Sequence, residues 1–409
     1  MTDEPANPAQ RSDTMQSAST RTIESLDVPV EALPRPTARW GDCVRVVGAA
    51  VGALFRAMLR RLLGRSVHPR WPFKLEIVVA ATRGSWSVMP RIGMVRWRNV
   101  GEAMSPLRAD GLTPRLVNLD PGADGPLHAA WLEPPDAGAS VLLYFHGGGF
   151  VFGSLRTHGE MIGALARAAR AKTLALEYRL APEHPAPAAV TDAVKAYRYL
   201  LGQGIEPQAI ALAGDSAGGT LVLSALLAIR DAGLPLPGAG VAISPWVDLG
   251  CSGESFEGNA RYDFVGKEHC LLAARHYLAG KDAASPEASP LFAQLSGLPP
   301  LLVQAGSLET LVDQIRAFAA RAKDAGNELT FSEYPDMVHV WHLLRAMTPE
   351  GGRAIDEAGT FIRAHTAGAR RAARGAPHFV QGEASGVVER NGVIDVDPIL
   401  RLETPVILL

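Results

Sequence analysis

The chain has 409 residues, of which 47% are hydrophobic, and it carries a formal net charge of −2. This apolar content excludes a chain that is disordered throughout, and the balanced charge excludes a broadly basic surface of the kind that binds nucleic acid. The three cysteines (Cys43, Cys251 and Cys270) lack the paired spacing of zinc sites, so we predict reduced, mostly buried thiols in a cytoplasmic protein.

The N-terminal region changes character at about residue 39. Residues 1–38 are polar and rich in Ser, Thr, Pro and Asp, so we predict a disordered arm without a signal peptide. The next segment, residues 44–64, is apolar but contains Arg56 well inside the apolar run. A membrane-spanning helix rarely tolerates an arginine there. We therefore predict a helix that either packs on the protein's own surface or lies in a membrane interface, as a peripheral contact.

From about residue 139, short β-rich apolar runs alternate with longer runs of helical spacing. The predicted strands are 140–145, 173–178, 209–214, 240–245, 301–306 and 328–334, and the predicted helices include 161–170, 188–201 and 218–233. This alternation is typical of βαβ units. It predicts an α/β fold with a mostly parallel sheet covered by helices on both faces.

A glycine-rich loop, FHGGGFVFG at residues 145–153, follows the first predicted strand. Glycines leave backbone N–H groups unshielded, so Gly148 and Gly149 are candidate donors to an oxyanion, in a motif that also contains His146 and Gly147. A loop of this kind can instead cradle phosphate, but the G-x-x-x-x-G-K-[ST] pattern of that function is missing.

The most informative motif is GDSAG at residues 214–218, between a predicted strand and a predicted helix. This is G-x-S-x-G in the setting that a nucleophilic serine requires, with Gly214 and Gly218 allowing a tight turn around Asp215 and Ser216. The N–H of Ala217, at the helix N-terminus, is a third candidate oxyanion donor. The alternative is a glycine-rich turn in which Ser216 only caps the helix.

Two acidic residues follow the strand at 301–306. Glu309 lies in the predicted loop, and Asp313 lies in the first turn of the next predicted helix, where a carboxylate is favourable for the helix dipole alone. Upstream of them, residues 246–296 form an insertion with a predicted helix at 267–280. Insertions of this kind tend to lie above the carboxyl ends of the strands, where ligands bind, so we predict a cap.

A serine nucleophile needs a general base, and where a G-x-S-x-G turn joins a strand of an α/β sheet to a helix, the histidine follows the acid in the chain. His339 follows the last predicted strand, where a loop residue reaches over the sheet edge, and it is our candidate. His342 is the alternative, while we interpret His269 and His276 as structural residues of the cap helix. The remaining histidines after Ser216 lie in or near the C-terminal tail: His365 and His378.

Together these motifs resemble the hormone-sensitive-lipase-like family of α/β-hydrolases. The resemblance rests, in family order, on HGGGF (146–150), YRLAPEHPAPAA (178–189), GDSAGG (214–219), SPWVDL (244–249) and DMVHVW (336–341). It implies an α/β-hydrolase fold with an eight-stranded, mostly parallel sheet, and a helical cap built from residues 39–110 and 246–296. It also aligns the family's catalytic acid with Glu309, and Asp313 is kept as the alternative acid.

The resemblance further implies a carboxylic ester hydrolase that works through an acyl-enzyme on Ser216, without metal or organic cofactor. Its bacterial carboxylesterase, acetyl-hydrolase and monoterpene lactone hydrolase members are the most similar, which suggests short to medium acyl chains. The alternatives are a lactone or N-acetyl hydrolase with the same triad, a membrane-associated lipase, or a ligand-binding homologue without catalysis. Within YRLAPEHPAPAA, we expect Glu183 to brace the oxyanion loop.

The predicted units are therefore the arm at 1–38, the helical segment at 39–110, the hydrolase domain at 111–366 and a tail at 367–409. The tail contains a predicted hairpin at 386–396, for which we expect no chemical role. The arm and tail are longer than is usual in the family. The oligomeric state is therefore left open by the sequence, with a homodimer among the alternatives.

Overall fold

The computed structural model describes residues 37–119 and 127–366. The expectations for residues 1–36 and 367–409, including the hairpin at 386–396 and His378, lie outside the described residues, and the predicted unit boundaries stay predictions.

From residue 37 onward, four helices precede the sheet: α1 (Trp40–Leu62), α2 (Phe73–Trp86), α3 (Met89–Ile92) and α4 (Met94–Met104). Helix α1 packs closely along α2. The close approach is possible because position 84 is a glycine, where a Cβ atom would meet the carbonyl oxygen of Ala49 at 2.5 Å. Within the described part of the chain, no helix is long and apolar enough to cross a membrane.

The sheet has eight strands, in the order β1-β2-β4-β3-β5-β6-β7-β8. Only β2 runs against its neighbours β1 and β4, and all the other pairs are parallel. The predicted fold class is thus confirmed. The strands are β1 (Arg115–Asn118), β2 (His128–Leu132), β3 (Val141–Phe145), β4 (Lys172–Leu176), β5 (Ile210–Asp215), β6 (Ala239–Ile243), β7 (Leu301–Gly306) and β8 (Leu329–Tyr334).

Helices cover both faces of the sheet, which explains why the central strands β3, β5, β6 and β7 are buried at every position. In β3, Val141, Leu143 and Phe145 face one core cluster, and Leu142 and Tyr144 face the other. The first cluster contains residues of α6 (Ala188–Gly202), α7 (Ala217–Asp231) and α10 (Val312–Asp324). The second contains residues of α5 (Leu155–Ala169) and α11 (Pro349–Thr366).

Helix α5 begins six residues earlier than the apolar pattern predicts. Ser154 caps it, since its Oγ accepts the N–H of Arg156 at 3.1 Å and the hydroxyl of Thr157 accepts the N–H of Ser154 at 2.9 Å. The insertion at 246–296 contains α8 (Ser255–Gly258) and α9 (Lys267–Leu278). The parallel strands β3, β5, β7 and β8 end at the same edge of the sheet, so the loops that carry the candidate site residues meet there.

Candidate active site

Ser216 occupies the sharp turn between β5 and α7. Its φ of 53° is unusual for a residue with a side chain, and its N–H is held by the carbonyl oxygen of Ile243 at 2.8 Å. Gly218 is required for the turn because a Cβ atom there would overlap the carbonyl oxygen of Phe145. The turn therefore presents Ser216 to a cavity at the carboxyl edge of the sheet.

His339 lies in the loop after β8, and its Nε2 is 2.8 Å from the Oγ of Ser216. Its imidazole is buried, at 3% exposure of the residue. Burial lowers the pKa of His339, but the hydrogen bond and charge of Glu309 outweigh it and raise the pKa above the ordinary value. The arrangement thus favours a histidine that takes up the serine proton.

Glu309 lies in the loop between β7 and α10, behind His339. Its Oε2 is 3.1 Å from the Nδ1 of His339, while its Oε1 accepts the N–H of Gly306 and the hydroxyl of Ser244, each at 2.6 Å. An ionised carboxylate only accepts hydrogen bonds, so this network assigns the imidazole proton to Nδ1 and leaves Nε2 free to accept from Ser216.

Asp313, the alternative acid, is not near His339. Its carboxylate accepts the N–H of Ser255 at 2.8 Å and pairs with Arg316 at 3.2 Å, at the start of α10. The geometry therefore favours Glu309 over Asp313 as the acid. Its place in the first turn of a helix is the favourable one for a carboxylate that carries no chemistry.

The other candidate histidines within the described residues make their contacts away from Ser216. His342 is buried against the Oε1 of Gln304 at 2.9 Å, and burial lowers its pKa to about 3, so it stays neutral. His365 lies on α11 near Glu328. His269 of α9 lines the cavity, with its ring 5.4 Å from that of Trp86.

The glycine loop lies across the cavity from His339. Gly148 has a φ of 119°, and its carbonyl oxygen is turned away to accept the N–H groups of Val151 and Phe152, each at 3.0 Å. Both Gly148 and Gly149 line the cavity beside Ser216. Ala217 is the first residue of α7, where N–H groups have no acceptor within the helix.

Asp215, the variable residue of the serine motif, ties this turn to the glycine loop. It accepts the hydroxyl of Tyr144 at 2.6 Å and the N–H of Gly147 at 3.1 Å, and it lies 3.3 Å from His158. Burial raises the pKa of Asp215, but the charge and hydrogen bond of His158 together with the hydrogen bond of Tyr144 outweigh it and hold the pKa below its ordinary value. A buried ion pair therefore fixes the loop relative to Ser216, which the motif alone did not indicate.

His146, the first residue of the HGGGF motif, supports the same loop. Its ring stacks on Tyr178 at 4.3 Å, and its Nδ1 is 2.8 Å from the carbonyl oxygen of Gly147. Burial lowers the pKa of His146 to about 3. Glu183 pairs with Arg98, whose guanidinium also donates to the carbonyl oxygen of Val151 at 3.2 Å. Glu183 therefore braces the loop from outside.

Asp263, which the sequence analysis did not identify, connects the loops of the acid and the base. Its Oδ1 accepts the N–H of His339 at 3.2 Å, and its Oδ2 accepts the N–H of Thr310, the neighbour of Glu309, at 2.8 Å. The carboxylate is buried, which raises its pKa to about 6. It belongs to the insertion, so the cap is bonded directly to the backbone around the site.

A cavity of about 190 Å³ lies above Ser216 and is roofed by both cap segments. Its wall includes an edge-to-face cluster of Trp86, Trp97 and Phe152, with ring centroids 4.9–5.5 Å apart. Phe264 and Met89 add to this apolar lining. Among residues 37–119 and 127–366, no group of three His, Cys, Asp or Glu side chains is arranged to hold a metal ion.

Known proteins with similar sequences or structures are esterases and related hydrolases. A family model of the α/β hydrolase fold matches residues 142–343. An acetyl-hydrolase of Streptomyces hygroscopicus is 50% identical over 239 residues, covering 58% of this chain and 80% of its own. An esterase of Acinetobacter venetianus is 35% identical over 223 residues, covering 54% of this chain and 74% of its own.

Among solved structures, an esterase from the bacterial hormone-sensitive lipase family is 41% identical, with a TM-score of 0.62 over 81% of this chain and 100% of that one. A mutant of the esterase E40 is 45% identical, with a TM-score of 0.67 over 72% of this chain and 99% of that one.

Proposed function

The chain belongs to the hormone-sensitive-lipase-like family of α/β-hydrolases and is a carboxylic ester hydrolase, and from this we propose that it cleaves esters of short to medium acyl chains through Ser216, His339 and Glu309. The observation that carries the proposal is the continuous hydrogen-bonded chain from the Oγ of Ser216 through both ring nitrogens of His339 to Glu309. This is the order of contacts that activates a serine nucleophile.

In the acylation step, Nε2 of His339 takes the proton of Ser216 as Oγ bonds to the ester carbonyl carbon. The carbonyl π electrons move to oxygen and return when the bond to the leaving alcohol breaks, and that alcohol takes its proton from His339. A water molecule then attacks the acyl-enzyme by the same route and releases the carboxylic acid. Glu309 stabilises the imidazolium and holds its orientation throughout.

The oxyanion of each tetrahedral intermediate is bound by the N–H groups of Gly148, Gly149 and Ala217 in this proposal. The supporting features are the glycine loop that lines the cavity beside Ser216 and the helix N-terminus at Ala217. Donors held in place before the reaction pay no reorganisation cost as the charge develops, and one donor is worth roughly 10²–10³-fold in turnover.

The acyl group is expected to lie against the aromatic cluster of Trp86, Trp97 and Phe152. A cavity of about 190 Å³ with this lining suits a short or medium acyl chain better than a long one. A second candidate is hydrolysis of acetyl groups, including acetamides, because the relative that is 50% identical bears the name acetyl-hydrolase.

The test is turnover of a p-nitrophenyl ester series of increasing acyl length, compared with lactones and acetamides. We expect the highest kcat/KM on a short or medium ester, and loss of turnover in Ser216→Ala. Ser224→Ala is the matched control because it changes a buried serine of α7 two turns from the site. An esterase rate retained by Ser216→Ala would refute the proposal, and a preference for acetamides would select the second candidate.

A further inference from the structure

Helix α1 is apolar on two opposite sides. Its inner side packs into the protein through the buried residues Val46, Ala50 and Ala57. On the other side lie large apolar side chains that project into solvent. We call this set the outer face of α1: Trp40 (82% exposed), Val44 (52%), Val51 (56%), Phe55 (66%), Leu59 (48%) and Leu62 (83%).

The outer face is one continuous stripe. Its members recur at intervals of four, seven, four, four and three residues, which the helical period of 3.6 places within about 100° of one another. The solvent side of a helix on a soluble domain is normally polar, and a contiguous exposed apolar patch marks an interaction surface. Leu63, just past the helix end and 63% exposed, extends the stripe.

Arginines border the outer face. Arg56 and Arg60 are exposed and lie one turn apart beside Phe55 and Leu59, and among the described residues neither pairs with a carboxylate. Exposed arginines also stand at both ends of the helix, at Arg39 and beyond Leu62 at Arg65. An apolar stripe with arginine borders matches a bilayer surface, because acyl chains accept the stripe while anionic headgroups attract the guanidinium groups.

The helix also forms part of the cavity above Ser216. Val46, on its inner side, lines that cavity together with Trp86 and Trp97 of the neighbouring helices. We propose that the outer face of α1 docks on a membrane surface rich in anionic phospholipid, with the helix lying in the plane of the interface. The roof of the cavity would then rest on the lipid, close to acyl compounds dissolved in it.

The experiment is vesicle co-sedimentation of the full-length chain. Vesicles of phosphatidylcholine alone are compared with vesicles that also contain phosphatidylglycerol, at low and high salt. We expect binding to the anionic vesicles that weakens with salt. The double variant Phe55→Ser/Leu62→Ser and the double variant Arg56→Glu/Arg60→Glu should each weaken this binding at least tenfold.

Leu271→Ser is the matched control, since Leu271 of α9 is 41% exposed but lies outside the outer face, and it should bind as the unchanged chain does. Far-UV circular dichroism verifies that each variant is folded, independently of the proposed catalysis. Ser216→Ala should bind vesicles normally, so failure of the proposed catalysis and failure of membrane docking are distinguishable.

Three results would overturn the proposal. The first is absence of binding to anionic vesicles, as expected if the chain's own termini cover the outer face. The second is binding of both double variants to anionic vesicles as strong as that of the unchanged chain. The third is a stable dimer in sedimentation velocity that Phe55→Ser/Leu62→Ser converts to a monomer, which would assign the outer face to a second copy of the chain.

Discussion

Replacing Glu309 by glutamine tests the proposed triad most directly, because the change removes one charge and keeps the shape. Glu309 accepts from three donors, which are the Nδ1–H of His339, the N–H of Gly306 and the hydroxyl of Ser244. A glutamine has only one oxygen with which to serve both sides of this network. Its NH₂ group must therefore face either His339 or the Gly306 side.

Each orientation has a cost. An NH₂ group facing His339 meets a second donor and favours the tautomer with its proton on Nε2, which cannot accept from Ser216. An NH₂ group facing Gly306 leaves a buried N–H unpaired, which costs about 1–3 kcal/mol, and still removes the charge that stabilises the imidazolium. We expect kcat to fall by roughly 10³–10⁴-fold, the scale known for an amide in place of a triad acid.

Asp313→Asn is the control. Asparagine keeps an oxygen to accept the N–H of Ser255 and loses only the exposed pair with Arg316. Such a pair is worth about 0–1 kcal/mol, so kcat/KM should stay near that of the unchanged protein. The measurement is steady-state kinetics of both variants on one p-nitrophenyl ester. A large loss of kcat in Asp313→Asn together with a small loss in Glu309→Gln would refute the reasoning.

Three further predictions follow from the site. The base His339 must be neutral in the free enzyme, and its pKa is raised above 6.5, so kcat/KM should begin to decline above pH 6.5 as the pH falls. The Glu309→Gln variant should shift this decline to lower pH. A decline that begins only well below pH 6.5 in the unchanged protein would contradict this. Asp263→Asn should lower kcat roughly 10–100-fold at a nearly constant KM, because a small displacement of His339 slows the chemical step without weakening substrate binding. A lower melting temperature with an unchanged kcat would instead indicate a purely structural residue. Gly148→Ala should abolish turnover while the protein stays folded. The Cβ atom of an alanine there would overlap the carbonyl oxygen of Phe152, and the φ of 119° at this position suits only glycine. Full activity in this variant would exclude the proposed oxyanion loop.

Most of the strands that the sequence predicted are buried on both faces, and the exception is the edge strand β8, whose residues are all at least partly exposed. The apolar run at 301–306 coincides with β7, whereas β1 and β2 were not predicted. Strand β1 has only four residues and forms the edge of the sheet, and β2 is only partly buried at two of its five positions. In β2, the sequence HAAWL opens with a half-buried histidine, so no continuous apolar run marks it. The local sequence pattern is clearest where the fold buries a strand on both faces.

The same contrast holds at the site. Ser216 and His339 could be identified from the sequence because the nucleophile requires glycines around it and the base follows a predicted strand. Asp263 has no such signal, since its acceptor atoms meet the backbone N–H groups of residues 47 and 76 positions away in the chain. A contact made by backbone groups leaves no trace in the identity of the residues that make it, and only the assembled cap brings them together.

The position of Asp263 has a consequence for recombining this protein with its relatives. The next two residues, Phe264 and Val265, line the cavity, so a single short stretch of the insertion both shapes the acyl site and holds the loops of His339 and Glu309. A chimaera that exchanged residues 246–296 to import a new substrate range would also exchange this alignment. Substrate selectivity and catalytic rate are therefore coupled in this protein, and a redesign of selectivity has to keep the carboxylate of Asp263.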